Sequence, residues 1–420
     1  MNATTPGGTE RPPPAGRPVR GPRILYIAYW GATEPLGQSL VVPALERVTE
    51  SGASVGLVTF EKAADWDADR RVGVTAERLR KHGIVWKPLR YHKRPRLPAT
   101  LFDVLNGWRA GVTLGRRGRA QLVHGRTFIG GLIGRAVATT LRVPFVYHNE
   151  GFYPDEMVDG GFWRSGSMMH RAARSLEERL YEGADGLIVL SSRAARRVEA
   201  LPSVRRKHTP VIVVPSCVDL ERFTSCLAPR SPGPPLRLVY SGAVGGRYQL
   251  DRVGRFVAKL AELTPVRLQV LTREPRQLVA RMFKTGGLDD GLWDAAFVPH
   301  ADMPRRLASH DAGLFFLASG TSEIGCSPTK IGEYWACGLP VVTTPDVSDT
   351  DELIRRFGCG VVVRDHTDEA YLEAGTRLVE LLAEPGVRLR CRAAAEGHYA
   401  LEPACDRQMQ LYQRLCGTLP

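Results

Sequence analysis

The sequence lacks the long apolar segments of membrane-spanning and exported proteins. It has no run of eighteen apolar residues, and the N-terminal segment has no apolar stretch of the secretory-signal type. Lysine is also scarce, since only 8 of the 57 basic residues are lysines, a bias typical of GC-rich bacterial coding sequences. We therefore expect a bacterial protein of the cytoplasm, and a peripheral contact with the inner membrane face is left open.

Patterns of metal-binding and nucleic-acid-binding proteins are missing as well. The 8 cysteines form no C-x-x-C pair and have no accompanying histidine pattern, so we interpret them as reduced thiols and expect no metal. The net charge of +13 comes without zinc-finger spacing or an RNP-like aromatic motif. This excess of positive charge therefore predicts no nucleic-acid partner, but an anionic small molecule or an anionic membrane.

Apolar strand patterns alternate with helix patterns along most of the chain. This alternation predicts an α/β fold made of two Rossmann-like domains, 24–223 and 236–400, which face each other across a cleft. Residues 1–23 are rich in Pro, Gly, Thr and Arg and are predicted to be a disordered leader. Residues 224–235 are rich in Pro, Ser and Gly and are predicted to be the linker.

The most informative stretch runs from Ser327 to Thr344. Ser327 precedes a proline, the pattern predicts a helix from Thr329 to Cys337, and a strand follows. The start of such a helix offers unpaired N–H groups to an anion, and Lys330 adds a positive charge there. Glu333 lies one turn further on the same face. These groups suit the diphosphate and ribose of a nucleotide, although a structural Lys–Glu pair fits the spacing equally well.

Ser327-Pro-Thr-Lys-Ile-Gly-Glu-Tyr334 resembles the donor-site motif of one branch of the retaining glycosyltransferases of family 4, which have the GT-B fold. The resemblance implies that Glu333 binds the donor ribose and that the C-terminal helix, 401–420, crosses back onto the first domain. Many relatives have a sugar-contacting glutamate eight positions before this one. Gly325 occupies that position here, and Glu323 is two residues away from it.

Other donor-binding candidates follow strands of the second domain. A glycine loop after the strand at Leu236 can receive a phosphate on its backbone, and Arg247 can clamp an oxygen, although a plain tight turn fits equally well. Arg273 also lies at a strand end. Residues 298–300 lie where relatives read the nucleotide base. The full predicted donor set is Gly242, Gly245, Gly246, Arg247, Arg273, Pro299, His300, Glu323, Gly325, Ser327, Thr329, Lys330 and Glu333.

Acceptor-binding candidates follow strands of the first domain, because ligands bind beyond the carboxyl ends of parallel strands. A loop at Gly37 resembles the family's first loop, and an acid-rich segment follows the strand that ends at His148. The resemblance implies that Glu150 replaces a sugar-facing histidine of relatives. The predicted acceptor set is Gly37, Gln38, Ser39, His124, His148, Tyr153, Asp155 and Glu156, and the predicted catalytic set is Lys330, Glu333, His148 and Glu150.

The segment from Lys87 to Arg119 is strongly basic. It carries nine Lys or Arg and one acid, Asp103, with aromatic and leucine side chains between them. This pattern is typical of a membrane-surface or anionic-acceptor patch, and equally of a solvated loop and helix with an apolar underside.

Together these observations predict transfer of a sugar from a UDP or GDP sugar to a small-molecule, glycan or lipid-linked acceptor. The resemblance implies retention of configuration, and cationic groups around the diphosphate predict that neither metal nor cofactor is needed. Two other functions remain open: a GT-B nucleotide-sugar epimerase, which needs no acceptor, and a non-catalytic protein that binds a sugar nucleotide or a lipid surface.

Overall fold

A computed structural model of the chain describes residues 21–67, 71–223, 234–299, 302–318 and 320–418. Most of the predicted leader and linker, 1–20 and 224–233, lies outside these residues, as does His300. The seven described cysteines are free thiols. Each described helix is too short or too polar to cross a bilayer.

The first domain is built on a seven-stranded parallel sheet with strand order β3-β2-β1-β4-β5-β6-β7. Its central strands are almost wholly buried because helices cover both faces. The strands are β1 Arg23–Ala28, β2 Ser54–Glu61, β3 Val85–Arg90, β4 Leu122–Arg126, β5 Phe145–Asn149, β6 Gly186–Val189 and β7 Val211–Val213.

Nine described helices accompany this sheet. They are α1 Val42–Glu50, α2 Ala63–Asp67, α3 Arg71–Lys81, α4 Arg96–Arg117, α5 Phe128–Leu141, α6 Tyr153–Asp159, α7 Met168–Gly183, α8 Ser192–Glu199 and α9 Pro202–Lys207. A π-helical turn, Gly37–Val41, precedes α1. Helical backbone therefore already begins at Pro35, two residues before this turn.

The second domain contains a six-stranded parallel sheet with strand order β10-β9-β8-β11-β12-β13. The strands are β8 Leu236–Ser241, β9 Val266–Leu271, β10 Trp293–Ala296, β11 Ala312–Phe315, β12 Val341–Thr343 and β13 Gly360–Val362. The helices are α10 Leu250–Ala261, α11 Arg276–Gly286, α12 Met303–Ala308, α13 Thr329–Ala336, α14 Thr350–Phe357, α15 Asp368–Ala383, α16 Val387–His398 and α17 Leu401–Cys416. These two sheets confirm the predicted pair of Rossmann-like domains.

Two strand predictions need correction. Residues 296–299 resemble a strand in the sequence, but β10 lies three residues earlier, because Trp293 is the buried anchor that packs against Phe283 with ring centroids 5.0 Å apart. Strand β3 was not predicted. It is the edge strand, and its exposed Val85, Lys87 and Arg90 give no apolar pattern.

The last helix returns to the first domain, as predicted. Helix α17 packs on α1, β4 and β7. Tyr412 contributes its hydroxyl to a 2.7 Å hydrogen bond with Nδ1 of His124 on β4. The chain therefore crosses between the domains twice, and the two crossings touch: Val218 N–H donates to the Tyr399 carbonyl at 2.9 Å, beside a bridge to Ala400.

A second set of contacts joins the domains near the mouth of the cleft. The Asp349 carboxylate of the second domain accepts the backbone N–H groups of Ser192 and Arg193 at 2.6 and 3.1 Å, so it caps α8 of the first domain. Gly325 lies against the Phe152 ring, where an added Cβ would come within 2.9 Å of a ring carbon.

Candidate ligand-binding cleft

A cleft of about 480 Å³ separates the carboxyl ends of the two sheets. The first domain lines it mainly with aromatic and acidic side chains, and the second mainly with cationic and aromatic ones. These are Tyr29, Trp30, Phe128, Glu150, Tyr153 and Glu156 from the first domain, and Arg247, Tyr248, Phe315, Ser327, Thr329 and Lys330 from the second. The cleft therefore offers positive charge on one wall and acidic groups on the other.

A second cavity of about 390 Å³ adjoins the first on the side of the second domain. Gly242 and Arg273 line it, and the Arg273 guanidinium lies 5.5 Å from the centre of the Phe297 ring. The linings of the two cavities come close at Gly242, because a Cβ added there would lie 2.5 Å from Cε of Lys330, which lines the first cavity. Glycine is favoured at this point by its φ of 128°, and a larger residue would also displace the end of the lysine side chain.

Lys330 is a cation without a carboxylate partner among the described residues. Its ammonium lies 3.3 Å from the Tyr248 hydroxyl, 4.9 Å from the centre of that ring and 6.0 Å from the centre of the Phe315 ring. It stands in the first turn of α13, where backbone N–H groups lack helical acceptors. An anion in the cleft would satisfy both the ammonium and this helix start.

Arg247 follows the glycine loop and joins the two domains. Positive φ angles at Gly242, Gly245 and Gly246 (128°, 89° and 63°) turn the chain there. Arg247 donates from Nη2 to Glu323 at 2.7 Å, and its Nη1 lies 3.9 Å from Oε1 of Glu156 on the first domain. Glu323 is buried, so it fixes Arg247 from behind and does not reach the cleft.

Glu156 is a cleft carboxylate with an altered pKa. Burial raises its pKa to about 7, while nearby Arg247 lowers it and neighbouring carboxylates, chiefly Glu323 and Glu150, raise it. It therefore titrates near neutral pH beside the cation that joins the domains.

Glu150 is held by a buried ion pair with Arg126, which also donates to the Tyr26 hydroxyl at 3.1 Å. Burial raises the pKa of Glu150, and Arg126 opposes that effect. Its second oxygen, Oε2, has no partner among the described residues. Glu150 lines the cleft, but this oxygen is itself buried, so a ligand hydroxyl would reach it only after a rotation of the side chain.

The structure contradicts the predicted catalytic role of His148 and the acceptor contacts of His124 and His148. Both side chains are buried: His148 is 1 % exposed and His124 is 0 % exposed. Nδ1 of His148 lies 3.3 Å from Nε2 of His124. Burial, and then the charge of Arg126, lower both pKa values well below the usual range. They are neutral core residues, because they lie within strands and not beyond them.

Two other parts of the predicted acceptor set also have structural roles. Asp155 is buried and binds Arg174 at 2.6 Å and Arg197 at 2.7 Å, so it joins α6 to α7 and α8. Gln38 donates to the Ala32 carbonyl at 2.7 Å and accepts from Arg78 at 3.0 Å. Gly37, Gln38 and Ser39 do not line the cleft, although Leu36 and Leu40 on either side do.

Some of the predicted donor residues line one of the two cavities, and others line neither. Arg247, Ser327, Thr329 and Lys330 line the first cavity, and Gly242 and Arg273 line the second. Gly325 packs on the first domain and contacts neither. Glu333 and Pro299 line neither cavity. Glu333 is half-buried one turn beyond Lys330, next to Tyr334, whose hydroxyl accepts the backbone N–H of Ser241 at 2.7 Å.

Sequence reasoning missed Trp30, Arg126, Phe128 and Tyr248. Arg126 ends the strand that contains His124, so its position at a strand end was a usable signal. The aromatic residues gave no such signal, because aromatic side chains are as common in a core as in a cleft.

Comparisons with protein families agree with this architecture. Residues 41–217 match the family model for glycosyl transferase 4-like domains, and residues 236–381 match that for glycosyl transferases group 1. A comparison with curated protein sequences gives no match. The two domain matches indicate a GT-B glycosyltransferase related to family 4.

Similar solved structures share the fold at low sequence identity. The sucrose-phosphate synthase of Thermosynechococcus elongatus is 14 % identical with a TM-score of 0.69, covering 95 % of this chain and 100 % of its own. A glycosyltransferase from Rickettsia africae is 11 % identical with a TM-score of 0.66, covering 94 % and 98 %. Anabaena HepE in complex with UDP-glucose is 14 % identical with a TM-score of 0.61, covering 94 % and 99 %.

Proposed function

Because both halves of this chain match glycosyltransferase domains, we propose that it is a retaining, metal-independent enzyme of family 4. It transfers a sugar from a UDP or GDP sugar to an acceptor nucleophile. The observation that carries this proposal is the ammonium of Lys330 at the start of α13, which has no carboxylate partner among the described residues and lines a cleft between two Rossmann-like domains. HepE, a structural neighbour, has been solved with UDP-glucose, which supports a nucleotide sugar as the donor.

In this proposal the second domain binds the donor. The diphosphate lies against Lys330, the first turn of α13 and Arg247, and the nucleoside extends past Gly242 towards Arg273. Glu333 orients the ribose, a contact that requires its half-buried carboxylate to turn towards the cavity.

Bond cleavage transfers negative charge to the leaving diphosphate. Cations and N–H groups that are already in place stabilise this charge most strongly in the transition state. Lys330 is suited to this role because it has no competing carboxylate among the described residues, whereas Arg247 must share its guanidinium with Glu323. The protein thus provides positive charge where other enzymes use a divalent cation.

The acceptor binds against the first domain in this proposal. Glu150 Oε2 and Glu156 accept hydrogen bonds from sugar or acceptor hydroxyls, and Tyr153 forms an aromatic wall. Neither carboxylate need become a covalent nucleophile if the acceptor attacks from the side on which the diphosphate leaves. The departing phosphate oxygen then takes the acceptor proton.

A thermal-shift panel of UDP and GDP sugars tests donor binding. We expect one nucleotide class to raise the Tm of the wild type and Glu333→Ala to lose most of that rise, because the ribose loses its acceptor. Glu262→Ala is a matched control at the C-cap of α10, where the carboxylate is exposed and pairs with Lys259. An equal rise in Glu333→Ala and the wild type would locate the nucleoside elsewhere. Conversion of the donor without an acceptor would indicate an epimerase.

The pKa of Glu156 predicts pH-dependent donor binding. Ionised Glu156 competes with the diphosphate for Arg247, so affinity for a nucleotide sugar should fall as pH rises through about 7. We expect a loss of about tenfold between pH 6 and pH 8, equivalent to one unit of pKa coupling. Calorimetric titration at both pH values measures it.

Glu156→Gln should flatten the pH dependence of donor binding, because the amide carries no charge at either pH.

The same substitution should change the pH dependence of folding stability. The folded pKa of Glu156 is raised, so the stability due to its protonated form is lost as pH rises from about 4.5 to about 7. The variant should therefore gain stability relative to the wild type at pH 8 and not at pH 4.5. An unchanged pH profile in Glu156→Gln would contradict the assignment.

A further inference from the structure

Helix α4 exposes apolar side chains over its first three turns. Leu97, Leu101, Phe102 and Leu105 are 67 %, 71 %, 50 % and 42 % exposed. The three leucines follow each other at four-residue spacing, so they form one line along the helix surface. The same line continues to the exposed Arg109.

The charge around these side chains is of one sign. The exposed Lys93 and Arg94 precede the helix, and Arg109 follows the apolar turns. Asp103, the one acid between Lys87 and Arg119, is 0 % exposed. It accepts the Tyr29 hydroxyl at 3.0 Å and lies 2.6 Å from Nδ1 of His92. This stretch therefore presents apolar and cationic groups to solvent and no carboxylate.

A second exposed apolar cluster lies between α6 and the start of α7. Phe162, Met168 and Met169 are 64 %, 80 % and 43 % exposed. Arg164 and Arg171 are exposed beside them. We call these two clusters together the rim patch. It consists of Leu97, Leu101, Phe102 and Leu105 on α4 and of Phe162, Met168 and Met169.

In each half of the rim patch, a chain neighbour of an exposed phenylalanine contacts a side chain that lines the cleft. Asp103, next to Phe102, is hydrogen-bonded to Tyr29, and Tyr29 lines the cleft. Trp163, next to Phe162, contacts Tyr153 edge-on with ring centroids 5.7 Å apart, and Tyr153 lines the cleft as well. Both exposed clusters therefore lie on the first domain, next in the chain to residues that contact side chains lining the cleft.

We propose that the rim patch docks the first domain onto an anionic lipid bilayer. Exposed leucine, phenylalanine and methionine side chains enter the interface between headgroups and acyl chains, and the surrounding Lys and Arg side chains bind acidic headgroups. Charge decides for a bilayer over a second protein copy, because the exposed charged side chains that flank the α4 cluster are cationic, Asp103 is buried, and a second copy of the chain carries the same net charge of +13.

Docking in this orientation places the first-domain side of the cleft next to the lipid headgroups. The acceptor is then a hydroxyl compound borne on a lipid, so that it reaches the cleft from the bilayer surface. This statement about the acceptor depends on the proposed transferase function, whereas the docking itself does not.

Sedimentation with vesicles tests the docking on the full chain. We expect binding to phosphatidylcholine vesicles containing phosphatidylglycerol to be at least about tenfold stronger than to pure phosphatidylcholine, and to weaken with added salt. The triple variant Leu101→Ser, Phe102→Ser, Leu105→Ser should lose about tenfold or more of this binding. Lys93→Glu with Arg94→Glu should do the same without altering the apolar groups.

Leu263→Ser with Leu389→Ser is the matched control, because these leucines are 46 % and 63 % exposed on the second domain. It should bind vesicles like the wild type. All variants should keep the nucleotide-induced rise in Tm, which separates failed docking from failed donor binding. Equal vesicle binding by the wild type and both rim-patch variants would overturn the proposal, and so would equal loss in the control.

Discussion

Replacing Lys330 with methionine should lower kcat for donor turnover by about 10²- to 10³-fold, the usual loss when one preorganised transition-state donor is removed. The ammonium contacts only the Tyr248 hydroxyl and two aromatic faces, so its removal leaves no buried carboxylate unpaired among the described residues. Folding should therefore be nearly unaffected, and the loss should appear in the chemical step. Steady-state release of nucleoside diphosphate, with the nucleotide sugar that raises Tm most, measures it.

Lys259→Met is the matched control for this experiment. Lys259 lies on α10 and pairs with Glu262 and Asp368 outside the cleft, so kcat should remain within about twofold of the wild type. Lys330→Arg should recover little activity, because the space beside Gly242 fits a slender side chain and not a planar guanidinium. If Lys330→Met turned over donor at the rate of the wild type, the leaving diphosphate would have to lie elsewhere.

Replacing Arg126 with methionine should destabilise the first domain by about 3–5 kcal/mol, because it leaves a buried carboxylate without its partner. Arg126 is 5 % exposed and binds both Glu150 and the Tyr26 hydroxyl. In a domain of this size such a loss lowers Tm by roughly 10 °C. The variant should lose stability most at high pH, where the unpaired Glu150 must ionise, and least at low pH, where it is protonated.

Two further variants separate burial from charge. Arg47→Met removes one partner of the exposed pair with Glu402 and should leave Tm close to that of the wild type, because solvent screens this pair. Adding Glu150→Leu to Arg126→Met removes the unpaired charge and should restore much of the lost stability. A Tm of Arg126→Met equal to that of Arg47→Met would mean that the Arg126–Glu150 pair is hydrated and not structural.

The fold was predictable where strands are buried on both faces. β1, β4, β5, β8 and β11 appear in the sequence as short apolar runs, and the helix from Thr329 is set by its proline and glycine boundaries. The edge strand β3 was not predictable in this way. Val85, Lys87 and Arg90 of β3 are exposed, so their composition resembles that of a loop.

The binding site was predictable in part, because position at a strand end is a coarser signal than side-chain direction. His148 is the penultimate residue of β5, and its side chain points into the sheet core, while Glu150, two positions on, reaches the cleft. Apart from the return of the last helix to the first domain, contacts between the domains were beyond sequence reasoning. Asp349 caps a helix more than 150 residues earlier in the chain, and no local pattern indicates this.

The crossings of the chain between the domains lie side by side, with Val218 hydrogen-bonded to Tyr399. A domain attached along one line can rotate about that line but cannot translate or twist freely relative to the other domain. Opening the cleft between Lys330 and Glu150 about this line would have to break the Asp349 cap on α8, so the two sets of contacts together fix the spacing of the cleft walls. With a single crossing in place of this pair, the two walls of the cleft could twist out of alignment.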